Sequence, residues 1–204
     1  TADRIPVIEY HNPNYSDLGG EVVMTEGMFT AQLDYLTRNK FKTLTDREFA
    51  DFLSRKREFP TNSTVLRFDL GDRAFDEFEN IVIPELRKRQ MVGHFYIAVG
   101  EIEDSKDGKA YWDKVVEWYK EGVIVIGSHS VSHPDFRQIS SSWAREEAEK
   151  SKERIEQEFR KRGVDMDIVG FAFPFDGVPN DIQFLKDAGY EYALAGRLNS
   201  KPIQ

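Results

Sequence analysis

The 204-residue chain has no cysteine, which excludes disulfides, zinc knuckles, thiol catalysis and thiol redox chemistry while leaving the compartment open. Any metal must be held by His, Asp or Glu. A basic surplus is lacking too: 28 Lys and Arg face 36 Asp and Glu, for a formal charge of -8 and a pI near 5.1. With no basic stripe, the charge argues against nucleic acid or an anionic membrane as the main partner, because both reward a basic face. No apolar run approaches the ~20 residues that span a bilayer. No signal-peptide pattern is read in these residues, and a start at Thr1 without Met leads us to expect a trimmed targeting segment. What the chain does have is 40% hydrophobic and 13% aromatic content, enough for one substantial core, so a single domain over 1–204 is expected.

Short apolar runs alternate with helical periodicity. Strands are expected at 5–10, 41–44, 65–68, 93–99, 123–126, 168–173 and 190–194. Between them, Thr25 can cap a helix with Phe29, Leu33 and Leu36 on one face, and Thr45-Asp46-Arg47-Glu48 is a capping box ahead of Phe49, Phe52 and Leu53. Phe75 to Leu86 reads as a helix kinked by Pro84, 101–109 as a polar surface loop, and Trp112, Val115, Val116 and Tyr119 as the apolar side of another helix. Ser140 to Ser142 can cap a long charged helix with Ala144, Ala148, Ile155 and Phe159 at helical spacing, otherwise a solvated outer face, stopped by Gly163. Residues 182–188 form a last short helix. Seven strands alternating with helices predict an α/β fold, either a parallel barrel or a doubly wound sheet.

In such folds chemistry gathers at the carboxyl ends of the strands. The residues there are His11, Asp69, Asp72, His129, His133 and Asp176, an inventory suited to a divalent metal with a position left for water. His129 and His133, four apart, can face the same way on a helical turn. On spacing alone a hydrogen-bonded structural loop built from Ser128, Ser130 and Ser132 is an equal reading; the place after the buried run Val123-Ile124-Val125-Ile126 favours metal.

Three stretches carry a resemblance: Phe68-Asp69-Leu70-Gly71, His129-Ser130-Val131-Ser132-His133 and Phe171-Ala172-Phe173-Pro174. Their order and placement resemble the polysaccharide deacetylases, the NodB-type carbohydrate esterases. Ile5-Pro6-Val7-Ile8-Glu9-Tyr10-His11 and Gln32-Leu33-Asp34-Tyr35-Leu36 resemble the branch containing poly-N-acetylglucosamine deacetylases. The resemblance implies a distorted (β/α)7-type barrel, the NodB-homology fold. It implies a metal-dependent hydrolase that removes N-acetyl or O-acetyl groups from a polysaccharide or amino-sugar oligomer, secreted or in the cell envelope. Carried over by position, Asp69 is the general base, His129 and His133 hold the metal (Zn²⁺, with Co²⁺ or Ni²⁺ as alternatives), and the Phe175 backbone N–H helps hold the oxyanion.

The chain departs from the family pattern at three places. Leu70 stands where the second Asp of the first motif binds metal; the third motif lacks the Arg that orients the base; and Leu194-Ala195-Gly196-Arg197-Leu198 contains no His to act as general acid. Replacement ligands could come from Asp72, Asp176, His11 or Glu9, or from Asp69 itself. Two further readings therefore stand beside the deacetylase: a carbohydrate-binding pseudoenzyme, and a metal-dependent hydrolase of another amide or ester. Trp112 and Trp118 are expected in the core, as is usual for Trp at helical spacing.

Overall fold

Eight consecutive residues from Ser63 to Leu70 are buried apart from Asp69, which is the signature of a strand covered on both faces in a parallel sheet. The computed structural model describes residues 1–10, 24–71 and 75–196. Its strands are β1 (Val7–Tyr10), β2 (Lys42–Thr43), β3 (Ser63–Leu70), β4 (Gly93–Ile97), β5 (Ile124–Ser128), β6 (Gly170–Ala172) and β7 (Tyr192–Leu194). They form one sheet in the order β1-β3-β4-β5-β6-β7, with β2 added alongside β3. The pairs β1·β3, β2·β3, β5·β6 and β6·β7 are parallel, as helical crossovers require. The helices are α1 (Glu26–Arg38), α2 (Asp46–Leu53), α3 (Phe75–Glu77), α4 (Ile83–Lys88), α5 (Val99–Glu103), α6 (Gly108–Glu121), α7 (Ser141–Arg160) and α8 (Gln183–Asp187).

The capping signals act as read. Thr25 Oγ1 accepts from Met28 N, Ser140 Oγ accepts from Trp143 N, and Thr45 and Glu48 make the reciprocal capping box. Two expectations need correction. The segment from Phe75 to Leu86 is not a helix kinked at Pro84: it widens into a π-turn over Phe78–Val82, and Pro84 falls in the first turn of α4, where its missing N–H costs nothing. The polar run 101–109 is not all surface loop. Helix α5 runs through Glu103 because Val99 and Ile102 are fully buried and anchor it.

The chain divides into two compact units, one of Thr1–Asp69, Arg73–Phe95 and Glu117–Val125, the other of Leu70–Asp72, Tyr96–Val116 and Ile126–Gln204. The first is built on an aromatic cluster. Phe68 stacks on Tyr10 at 5.1 Å and meets Phe95 at 5.4 Å, Phe78 at 5.7 Å and Phe29 at 6.0 Å. Truncating so central a ring costs about 3–5 kcal/mol, so Phe68 is the side chain this unit can least lose. His94, buried on β4 next to Phe95 in sequence, has Nε2 2.7 Å from the Leu44 carbonyl, and burial lowers its pKa to about 4.

In the second unit Phe136 packs against Phe171, Phe173 and Phe184 at 5.5, 5.4 and 6.0 Å. A chain of buried hydroxyls runs beside it: Ser128 Oγ lies 2.6 Å from Ser151 Oγ, and Tyr190 OH donates to the Ala148 carbonyl at 2.7 Å. Burial pushes the pKa of Tyr190 up, so it stays a neutral donor. Gly127 is required in β5 because the Tyr96 ring fills the space a Cβ would need.

Candidate metal and catalytic site

Strand β5 ends at Ser128, and His129 is the next residue, as the sequence predicts. The two histidines do not share a helical turn. Residues 129–133 form an irregular loop in which Ser130 and His133 take positive φ of 73° and 56°, because backbone donors of the segment are captured by side chains. Ser130 N donates to Ser128 Oγ at 3.2 Å, and His133 N donates to Ser130 Oγ at 3.0 Å. From the start of α5 and the end of β4, Val99 N and Gly100 N donate to the Ser130 and Val131 carbonyls, while His129 N donates to the Ile97 carbonyl. The serine-built loop, one of the two readings open on spacing, is present here, and both histidines lie on it.

This loop brings His129 Nε2 to 3.0 Å from His133 Nε2. His129 is 4% exposed, and its Nδ1 lies 2.8 Å from the Ala172 carbonyl at the end of β6. A carbonyl can only accept, so Nδ1 carries a proton, and in the neutral ring, the form that binds a metal, Nε2 is the acceptor nitrogen on the His133 side. Two imidazole nitrogens each about 2.0–2.1 Å from one Zn²⁺ stand roughly 3.0–3.4 Å apart. The pair therefore fits two positions of a divalent site. Among the described residues no group of three His, Asp or Glu is placed to hold an ion; the third position is not filled there.

Asp69 and Leu70 lie inside β3 rather than in a loop after it. Alternation along the strand puts Arg67 and Asp69 on one side and Phe68 and Leu70 on the other. Arg67 is 2% exposed. Its Nε and Nη2 each lie 3.2 Å from a different oxygen of Asp69, and its Nη1 lies 3.3 Å from Glu9 Oε2, on the residue paired with it in β1. A buried guanidinium needs such partners, and its planar fork holds the Asp69 carboxylate in one orientation. Leu70 is 1% exposed and offers no lone pair; its carbonyl accepts from Ala98 N.

Phe175 sits in a left-handed turn, with φ 55° and ψ 19°, inside the short 3₁₀ segment Pro174–Asp176. Its ring is exposed and meets the His133 ring edge-on at 4.8 Å. Asp176 packs its side chain on Gly196, in the space a Cβ there would take. His11 and Asp72 lie outside the described residues.

Three residues escaped the sequence reading. Arg67 was hidden because a lone Arg in an apolar run gives no sign of its partners. Glu101, on α5, places its carboxylate against Gly71, directly after Leu70. Glu147 is the correction to the view of α7 as a solvated face: it is 5% exposed and bonded to the histidine loop. Its signal was its place four residues after Trp143 and one before the buried Ala148.

A sequence profile described as polysaccharide deacetylase matches residues 56–193. Comparison with curated proteins finds no match. Among solved structures, the Streptococcus pyogenes deacetylase PplD in complex with acetate superposes with a TM-score of 0.83 at 19% identity, covering 96% of this chain and 85% of that one. IcaB from Ammonifex degensii gives 0.74 at 22% identity, covering 94% and 83%. A mutant of BA3943, described as a CE4 family pseudoenzyme, gives 0.52 at 18% identity over 64% of this chain and 43% of that one. These likenesses agree with the seven parallel strands and helical crossovers in assigning the (β/α)7-type NodB fold.

Proposed function

The chain belongs to the polysaccharide deacetylase family, and from that premise we propose that it is a hydrolase removing N-acetyl or O-acetyl groups from a polysaccharide or amino-sugar oligomer, with a divalent ion, Zn²⁺ in first place, held by His129 and His133. The observation that carries this reading is the convergence of the two Nε2 atoms at 3.0 Å with the His129 tautomer set by Ala172. When bound, the ion supplies Lewis acidity and makes water a stronger nucleophile near neutral pH.

The protein's own groups supply the rest. Asp69 takes the proton from the attacking water, and the Arg67 fork keeps its carboxylate aimed. That same fork speaks against Asp69 leaving its place to serve as a ligand. Phe175 N–H, on a left-handed turn beside His133, shares the oxyanion charge. A water or another carboxyl group stands in for the missing histidine acid. A secreted or cell-envelope location goes with this substrate class, and fractionation of the source cells checks it.

The test is to load purified protein with Zn²⁺ or Co²⁺ and to follow acetate release from N-acetylglucosamine oligomers. The expected result is about one equivalent of metal, lost together with acetate release in His129→Ala. If no metal is retained and His129→Ala changes nothing, the hydrolase reading is wrong.

One observation favours a second reading. Leu70 is buried at a family ligand position, and no third ligand stands among the described residues. A pseudoenzyme that binds carbohydrate without turnover fits these two facts, and retained binding of the oligomers without acetate release would establish it.

A further inference from the structure

The left-handed backbone at Ser130 and at His133 costs of order 1–3 kcal/mol per residue for a side chain other than Gly, and persists only where the surroundings over-determine it. Beside the serine hydroxyls and the backbone bonds from β4 and α5, the surroundings here include one carboxylate. Glu147 Oε2 accepts from Val131 N at 2.8 Å and from Ser132 N at 2.9 Å, while Oε1 accepts from Ser132 Oγ at 2.6 Å and from Trp143 Nε1 at 3.1 Å. Two of these four donors are the consecutive backbone N–H groups midway between the histidines. Two successive positions of one helix stripe converge on the same stretch, because Ser151, four residues after Glu147, has its Oγ 2.6 Å from Ser128 Oγ at the end of β5.

The geometry points to Glu147 as the positioning residue of the histidine pair. It touches neither imidazole. It fixes the backbone between them, so that His133 returns to face His129 instead of following the chain outwards. A carboxylate suits this task better than an amide: both oxygens only accept, whereas a Gln would turn its NH2 towards donors at one end. This assignment rests on the metal reading above for its purpose, but the positioning itself can be measured without metal.

The experiment compares Glu147→Gln and Glu147→Ala with Ile155→Val, a core change on the same helix that does not touch the loop. Long-range ¹H–¹⁵N spectra of the metal-free protein report the His129 and His133 tautomers, and amide exchange reports Val131 and Ser132. Both Glu147 variants should lose the wild-type histidine pattern and exchange those two amides faster; Ile155→Val should retain both. Zn²⁺ affinity, read by chelator competition, should fall roughly 10–100-fold in Glu147→Gln, the effect expected of an outer partner of metal ligands. Wild-type spectra and wild-type affinity in a folded Glu147→Gln would overturn the assignment. If the wild type binds no Zn²⁺, the metal reading has failed on its own account, and the histidine spectra alone decide the role of Glu147. Should Glu147→Ala not fold, Glu147→Gln, which keeps shape and size, carries the decision.

Discussion

The loop after β5 and the end of β3 hold their functional side chains by opposite means. After β5 the imidazoles are positioned through backbone: serine hydroxyls, the Ala172 carbonyl and the Glu147 carboxylate take up polar groups until the loop has one conformation. At the end of β3 the side chains hold one another, a buried Arg67 between Asp69 and Glu9. On the reading proposed above, the first arrangement carries two ligands and the second carries the base with Leu70 in place of a ligand; Asp69 is tied into its strand through Arg67, whereas Leu70 is held by apolar burial.

Leu70→Asp breaks this comparison most directly. If position 70 is an eroded ligand site beside a ready histidine pair, the variant should gain roughly 10–100-fold in Zn²⁺ affinity, with acetate release rising alongside. Chelator competition and an acetate assay read the two. An unchanged affinity would mean that a group outside the described residues already completes the site.

Asp69→Asn sharpens it next. Removing a carboxylate from the buried guanidinium should lower stability by about 1–3 kcal/mol, measured by urea unfolding, besides abolishing acetate release. His133→Ala, at a half-exposed loop position, should abolish metal retention at less than half that stability cost. Equal costs would show that the two ends are held alike after all.

A pH effect, absent near neutral pH and growing with acid, separates the core of the first unit from the site chemistry. Burial lowers the folded pKa of His94 to about 4, below the ordinary 6.5. Between those values the unfolded chain binds a proton that the folded chain refuses. Stability from this group is therefore complete above about pH 6.5 and is lost as pH falls towards 4, by at most about 1.4 kcal/mol per pH unit. His94→Gln, whose amide can still donate to Leu44, should flatten that part of the pH–stability curve. A slope left intact would assign it to other groups.

Much of this could be read from the chain before any coordinates. Amphipathic spacing located α1 through Phe29, Leu33 and Leu36, and the capping box located α2, because those signals act within a few residues. The place of His129 and His133 followed in the same way from the apolar run ahead of them. What stayed hidden depends on partners distant in sequence. The bend of the histidine loop is imposed by Glu147, fourteen residues after His133 in sequence, so local spacing suggested a helical turn that the backbone does not make. Arg67 reads as an anomaly in a strand until Asp69 and Glu9 are seen around it. The π-turn before Pro84 reflects packing of Phe78 and Val82, which periodicity alone cannot distinguish from an ordinary helix.

Trp143 gives the molecule an optical reporter of its own. Of the three tryptophans, Trp112 and Trp118 are 2% and 5% exposed while Trp143 is 47% exposed, and only its indole N–H is tied to Glu147. A water-soluble quencher such as iodide thus reaches one emitter and spares two. Because that emitter shares a hydrogen-bond acceptor with Val131 and Ser132, its colour and lifetime follow the histidine loop without any label being introduced, and metal or sugar titrations can be watched in native fluorescence.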